Sequence, residues 1–278
     1  ADRQRAQRRD ARVQAPPVPD EIAASQLDRQ VRAELRTLPG DLADAVARRL
    51  VAAALAADPE QAYQHAREAQ RLAARVGVVR ETTGIAAYQA GRWAEALSEL
   101  RTARRLTGRA SYLPLMADAE RALGRPDRAL ALIRDVGDVD RPTQIELRIV
   151  ESGIRRDEGR PAAAVAALQV PELTDGRQRP WSARLYYAYA DALAAAGRLD
   201  EAREWFGRAD AADPGGETDA AERLEELDPF LVEDLATPDD LATPDDLATP
   251  DDNDGEEDEQ DPAGSGGGAS GTGQAGAG

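Results

Sequence analysis

From Ala183 to Pro214 the apolar positions recur at helical spacing in two short runs. Tyr186, Tyr189, Ala190 and Leu193 form one stripe, and Leu199, Ala202, Phe206 and Ala209 form another. Gly197 separates the runs and Asp213-Pro214 closes the second, so the pattern predicts two helices back to back. Small residues at Ala190 and Ala202 allow the backbones to approach, while Tyr186, Leu193 and Phe206 fill the space around that contact. A pair of this size cannot bury its apolar face alone, which makes copies of it an expectation. The pattern Gly-Arg-x-x-x-Ala occurs at Gly91/Ala96, Gly124/Ala129, Gly159/Ala164 and Gly197/Ala202, with the glycines 33, 35 and 38 residues apart. An all-α array of about five helix-turn-helix units is expected.

Taken in order, Ile22, Leu27, Val31, Leu35 and Leu38 predict an amphipathic helix over 20–38 with Asp20 as N-cap, making 20–42 an N-terminal capping segment. A helix from Asp41 to Ala57 follows, and Asp58-Pro59-Glu60-Gln61 restarts another with a cap and a proline in the first turn. The units then run 43–76, with Ala57 in place of the glycine, 77–110, 110–143, 144–180 and 183–216. Gly84 sits at the close-contact position of the second. The unit 144–180 is the poorest match. Arg148, Glu151 and Arg155 stand in it where bulky apolar residues are expected, and Gly159, Ala164 and Leu168 carry the assignment. Residues 217–228 read as a C-terminal capping helix.

Composition divides the chain unevenly. Residues 1–19 carry five arginines against two aspartates, whereas 229–278 carry 14 acidic side chains and no basic one, so the net charge of −17 belongs largely to the end of the chain. Leu-Ala-Thr-Pro-Asp-Asp appears three times from Leu235, followed by an acidic run and a Gly/Ser/Ala stretch. Both terminal segments lack apolar periodicity and are expected to be disordered. Thr237, Thr243 and Thr249 read either as phospho-acceptors or as the product of a duplicated coding unit. The 1–19 segment reads either as a solubilising leader or as an arm for phosphates.

The helix-pair pattern over about 43–216 resembles the tetratricopeptide-repeat family, whose fold is a right-handed α-solenoid. The residues that carry the resemblance are Gly84, Gly91, Ala96, Leu100 and Ala103, then Ala117, Gly124, Ala129 and Ile133, then Ala190, Gly197, Ala202, Phe206, Ala209 and Pro214. More narrowly, QLDRQVRAELRTLP, ELRTARRLTG, RPWSARLYYAYADAL and GETDAAERLEELD are similar to an uncharacterised group of actinobacterial repeat proteins. The resemblance implies a cytoplasmic interaction module whose peptide groove is lined by the first helix of each pair. By helical spacing that groove would present Glu81, Ile85, Tyr88, Asp118, Arg121, Ile149, Arg156, Arg184, Tyr187 and Asp191. Family members that clamp a C-terminal carboxylate use Lys and Asn at set sites. Glu81, Ile85, Pro114 and Asp118 stand there instead, which argues against that activity. Tyr88 and Tyr187 either face the groove or pack against a neighbouring unit.

Chemistry is sparse. The chain has no cysteine and no lysine, which excludes thiolate nucleophiles, a phosphate-loop lysine and imine chemistry. His65 is the one histidine, so a metal would rest on carboxylates alone; no metal, cofactor or catalytic residue is expected. No apolar run approaches the roughly 18 residues of a membrane span and no signal-peptide pattern opens the sequence, so no membrane association is expected. The expected function is a non-catalytic protein–protein scaffold that takes a peptide or helix in its groove. The alternative is a nucleic-acid-associated or transcription-linked regulator that uses the arginine arm. A third idea has the acidic segment covering Arg121, Arg156 and Arg184.

Overall fold

The carboxylates of Asp28, Asp58 and Asp140 cap the starts of three helices, and left-handed glycines follow the ends of five. The structure, a computed structural model, describes residues 16–227. Among them are twelve α-helices and no strand. The short helix α1 is Arg29–Glu34. Five neighbouring pairs follow: α2 (Gly40–Leu55) with α3 (Pro59–Ala73), α4 (Gly77–Gln89) with α5 (Trp93–Thr107), α6 (Leu113–Ala122) with α7 (Pro126–Arg134), α8 (Arg141–Asp157) with α9 (Pro161–Ala167), and α10 (Ser182–Ala195) with α11 (Leu199–Ala211). Helix α12 is Ala220–Glu226.

Four of the five pairs share one turn. Gly91, Gly124, Gly159 and Gly197 have φ of 68°, 70°, 69° and 75°, a left-handed conformation that only glycine adopts freely. The following arginine N–H reaches back five residues, to the carbonyls of Ala87, Glu120, Arg155 and Leu193, at 2.8–3.0 Å. The glycine N–H donates to the carbonyl three residues back, at 2.8–3.0 Å. Two orphan carbonyls at each helix end are thereby satisfied. A Cβ at Gly124, Gly159 or Gly197 would meet nothing within 4 Å, so these glycines are required by backbone conformation and not by crowding. Five residues on, Ala96, Ala129, Ala164 and Ala202 are each fully buried, where a larger side chain would push the two helices apart. The first pair turns differently. The backbone at Ala56 is extended, and the Asp58 carboxylate accepts from the N–H groups of Glu60 and Gln61.

The first helices touch in order, α2 to α4, α4 to α6, α6 to α8 and α8 to α10. The second helices close the pairs, and buried side chains form one core segment after another along the chain. In the segment spanning α8 to α11, Ile145, Leu168, Leu185, Leu193 and Phe206 are wholly buried. Each such side chain contributes roughly 1.5–3 kcal/mol by leaving water.

Two expectations need correction. Residues 20–38 do not form one helix. The Asp28 carboxylate accepts from the N–H groups of Gln30 and Val31, and the Gln26 amide oxygen accepts from the N–H of Ala23, so local caps break the segment into two 3₁₀ turns and α1. Its apolar residues seat separately, Ile22 with Val51 and Ala52, and Leu35 with Val46 and Leu50. Nor does α8 lack an apolar face. Ile145, Leu147, Val150 and Ile154 are buried, while Arg148, Glu151 and Arg155 lie on another side of the helix. In the last pair the equivalent positions carry Tyr186 and Tyr189, which pack on Trp205, whereas α9 carries Ala167 where α11 carries Trp205. Of the segments expected to be disordered, 1–15 and 229–278 lie outside the described residues, as do the three Leu-Ala-Thr-Pro-Asp-Asp units, whereas 16–19 is held in place: the Pro16 and Pro19 carbonyls accept from Arg49 and Arg48, and Val18 packs beside Ile22.

Glycine substitutions test this packing by sign. A Cβ on Gly84 would lie 2.7 Å from the Leu100 side chain and 3.2 Å from its backbone nitrogen, and Leu100 is wholly buried. Gly84→Ala should therefore destabilise by about 1–2 kcal/mol, overpacking exceeding the helix-propensity gain of about 1 kcal/mol. Gly207→Ala, inside α11 with nothing within 4 Å of its Cβ, should stabilise by about 0.5–1 kcal/mol. Urea midpoints of the two variants should move in opposite directions.

Candidate functional site

The ten residues expected on the first helices fall into three groups. Glu81 belongs to a network at the start of the array. Arg109 bridges it at 2.9 Å to Glu34 at 2.7 Å, and the Tyr112 hydroxyl donates to it at 2.6 Å. The Glu34 carboxylate also accepts from the N–H of Val78 at the start of α4, where a negative charge is favoured by the helix dipole. Ile85 is half-buried against the core that contains Leu97 and Leu100. Neither residue is presented as a free contact.

Tyr88, Asp118 and Arg121 form a polar chain across three first helices. The Tyr88 hydroxyl donates to Asp118. Arg121 donates to Asp118 at 2.8 Å and to Asp157 at 2.8 Å, so α4, α6 and α8 are tied together. The Arg121 guanidinium passes beside Gly153, where a Cβ would lie in ordinary contact at 3.5 Å. The Tyr88 ring stacks edge-on against Trp93 of its own pair at 5.1 Å, while its hydroxyl reaches Asp118 of the next pair. Burial pushes the Tyr88 phenol well above the usual tyrosine range, and the facing Asp118 carboxylate adds to this against Arg121 and Arg184.

Ile149, Arg156, Arg184, Tyr187 and Asp191 come together. With Ser152, Gly153, Ala188 and the loop Glu217–Thr218–Asp219 they line one cleft of about 550 Å³ between α8 and α10. Arg156 pairs with Asp191, which Arg223 of α12 approaches at 3.6 Å, and Arg184 pairs with Glu146 at 2.7 Å. Burial raises the Glu146 carboxyl despite the Arg184 charge. Tyr187 packs against Phe206 of its own pair at 5.4 Å, and its phenol is raised by burial and by Asp219. Ile149 and Ala188 supply apolar surface. The cleft thus offers an apolar patch between separated donors and acceptors.

Sequence reasoning missed Ser152 and the loop. Ser152 is 1% exposed and its Oγ has no hydrogen-bond partner; the Nε groups of Arg156 and Arg223 are likewise buried and unpartnered. Ser152 occupies the small-residue position seven before the turn glycine, shared with Gly84, Ala117 and Ala190, so its pattern signals packing alone. The loop could have been read from Asp213. Its carboxylate accepts from the N–H groups of Glu217 and Thr218 and from the Thr218 hydroxyl at 2.7–2.8 Å, which folds Glu217–Asp219 back toward the cleft.

His65 has a structural partner. It is 5% exposed, and the Arg49 guanidinium donates to its Nδ1 at 2.9 Å, which leaves the proton on Nε2. Burial and then the Arg49 charge hold its pKa below the ordinary value. Among the described residues no group of His, Asp or Glu is placed to hold a metal ion, and no helix is long and apolar enough to cross a membrane. No family profile and no curated protein matches the chain.

The phenols give a pH prediction. Tyr63 is pushed from 10.0 up to about 12 by burial and by the Glu95 carboxylate, and Tyr88, Tyr112 and Tyr187 shift in the same direction. A native pKa above the unfolded one means that the folded state holds more protons, so this stability is present below pH 10.0 and is lost as pH rises through about 12. Phenolate absorbance should appear late, together with the loss of helical circular dichroism. A simple titration centred near pH 10.0 with the helices intact would contradict the burial assigned to these rings.

Proposed function

We propose that this chain is a non-catalytic scaffold of the tetratricopeptide type, a right-handed α-solenoid of about five helix pairs that binds a peptide or helix of another protein along its first helices. Four glycine turns with one backbone geometry, each followed by a buried alanine, support the repeat reading. The observation that carries the binding reading is the cleft between α8 and α10. Five of the expected residues line it, around the apolar surface of Ile149 and Ala188. An extended peptide would seat an apolar side chain on that surface and place its main chain against the charged groups on either side. Arginine pairs held by carboxylates on the facing helix set the register of such a segment more than its affinity.

The reading assigns no bond-breaking step, because none of the cleft groups forms a nucleophile–base pair. We place the protein in the cytoplasm on the same proposal. The nucleic-acid alternative rests on the arginines of residues 1–15, outside the described residues.

The test is capture of a partner from source-cell lysate by the full chain, with nuclease and at two salt levels. Ala188→Arg fills the cleft without removing a contact, and Arg104→Glu reverses an exposed charge on α5. A protein bound in equal amounts at high salt by the wild type and Arg104→Glu, and reduced about tenfold by Ala188→Arg, is expected. Since phosphate-driven binding falls steeply with salt, recovery that vanishes with nuclease or salt contradicts the scaffold reading.

A further inference from the structure

The arginine stripe of α8 faces a second groove, on a different side of that helix from the cleft. Its floor is Leu130, Ile133, Val136 and Leu147, and its volume is about 380 Å³. Leu130 and Leu147 are buried, while Ile133 and Val136 remain half-exposed because α7 ends at Arg134 and no helix continues over them. The lining charges are Arg134, Arg141, Arg148 and Arg155 against the single carboxylate of Glu151.

These arginines differ in what they already hold. Arg141 is bound by both oxygens of Glu172 at 2.6 and 2.7 Å. Arg155 lies between Glu151 at 3.5 Å and Glu158 at 3.0 Å. Arg148 meets only Glu151, at 3.8 Å, and Arg134 has no ion pair among the described residues. Asp135 and Asp138 are exposed in the loop that follows α7. Arg134, without an ion pair among the described residues, and Arg148, held only at 3.8 Å, therefore stand beside a half-exposed aliphatic floor.

We infer that this groove seats an acidic segment of another polypeptide, one that places a leucine-sized side chain on Ile133 and Val136 and flanking carboxylates on Arg134 and Arg148. The apolar floor selects for the aliphatic side chain, and the arginine forks select for carboxylates on either side of it. Bidentate arginine contacts fix orientation, so the two features together read a short pattern of acid, leucine and acid. This surface is separate from the cleft between α8 and α10, and each can fail without the other.

The test uses the full chain and a fluorescein-labelled synthetic peptide in which single leucines alternate with pairs of aspartates, followed by fluorescence anisotropy. Arg134→Gln with Arg148→Gln removes two exposed charges and no buried group; Arg104→Gln on α5 is the control. The double variant should weaken binding about tenfold or more and flatten its salt dependence, and the control should bind as the wild type does. Replacing the peptide leucines by alanine should weaken binding about as much. The inference is overturned if the wild type does not bind, if the double variant binds as tightly as the control, or if the alanine peptide binds equally well. It is also overturned if a single-stranded oligonucleotide binds through the same arginines more tightly than the peptide, which would make the groove a phosphate site.

Discussion

A helix that must reverse within two residues has to leave right-handed backbone space once, and in four of the five pairs a glycine does so. The reversal brings the two helices of a pair so close that only alanine fits five residues later, and Ala96, Ala129, Ala164 and Ala202 are wholly buried there. Everything else follows from that spacing. Because each pair closes on an alanine, the larger side chains are driven to the sides, where they meet the neighbouring pair. The first helices consequently stack in sequence, and the polar groups they carry line up across helix boundaries.

The side chains of the second helix then bear on what each first helix does with its remaining face. Helix α11 covers Tyr186 and Tyr189 with Trp205, whose ring lies 5.5 and 5.0 Å from theirs. Helix α9 has Ala167 in the place of Trp205, and the equivalent positions of α8 carry Arg148 and Glu151, side chains that remain stable in water. On the opposite side of α8, Ser152 and Gly153 keep the surface low, which opens the cleft toward Tyr187 and Asp191. One helix thus presents two concave surfaces of different character.

Much of this was legible in the residues. The glycine spacing marked the turns, and the alanines marked the close contacts, since both are local demands of backbone geometry. The all-helical character and the pairing of neighbours followed from the period of the apolar positions. The segment 20–38 misled because its apolar period is helical while Asp28 and Gln26 offer the backbone competing partners, and tertiary seats for Ile22 and Leu35 decided the outcome. In α8 the mismatch at Arg148 lay in expecting a bulky apolar residue where the partner helix has Ala167 in place of Trp205. Of the candidate site, Arg156, Arg184, Tyr187 and Asp191 were readable as a stripe. Ser152 and the Glu217–Asp219 loop were not, because their places depend on how pairs stack and on a turn beyond the last of them.

The central claim is that a polypeptide binds along the first helices. Hydrogen exchange of the full chain, alone and with its captured partner, tests it most directly. Amide protection should rise in α8 around Ile149–Arg156, in α10 around Arg184–Asp191 and in the loop Glu217–Asp219, with α5 and α11 unchanged. Protection confined to the second helices, or none in the described pairs, would contradict the account.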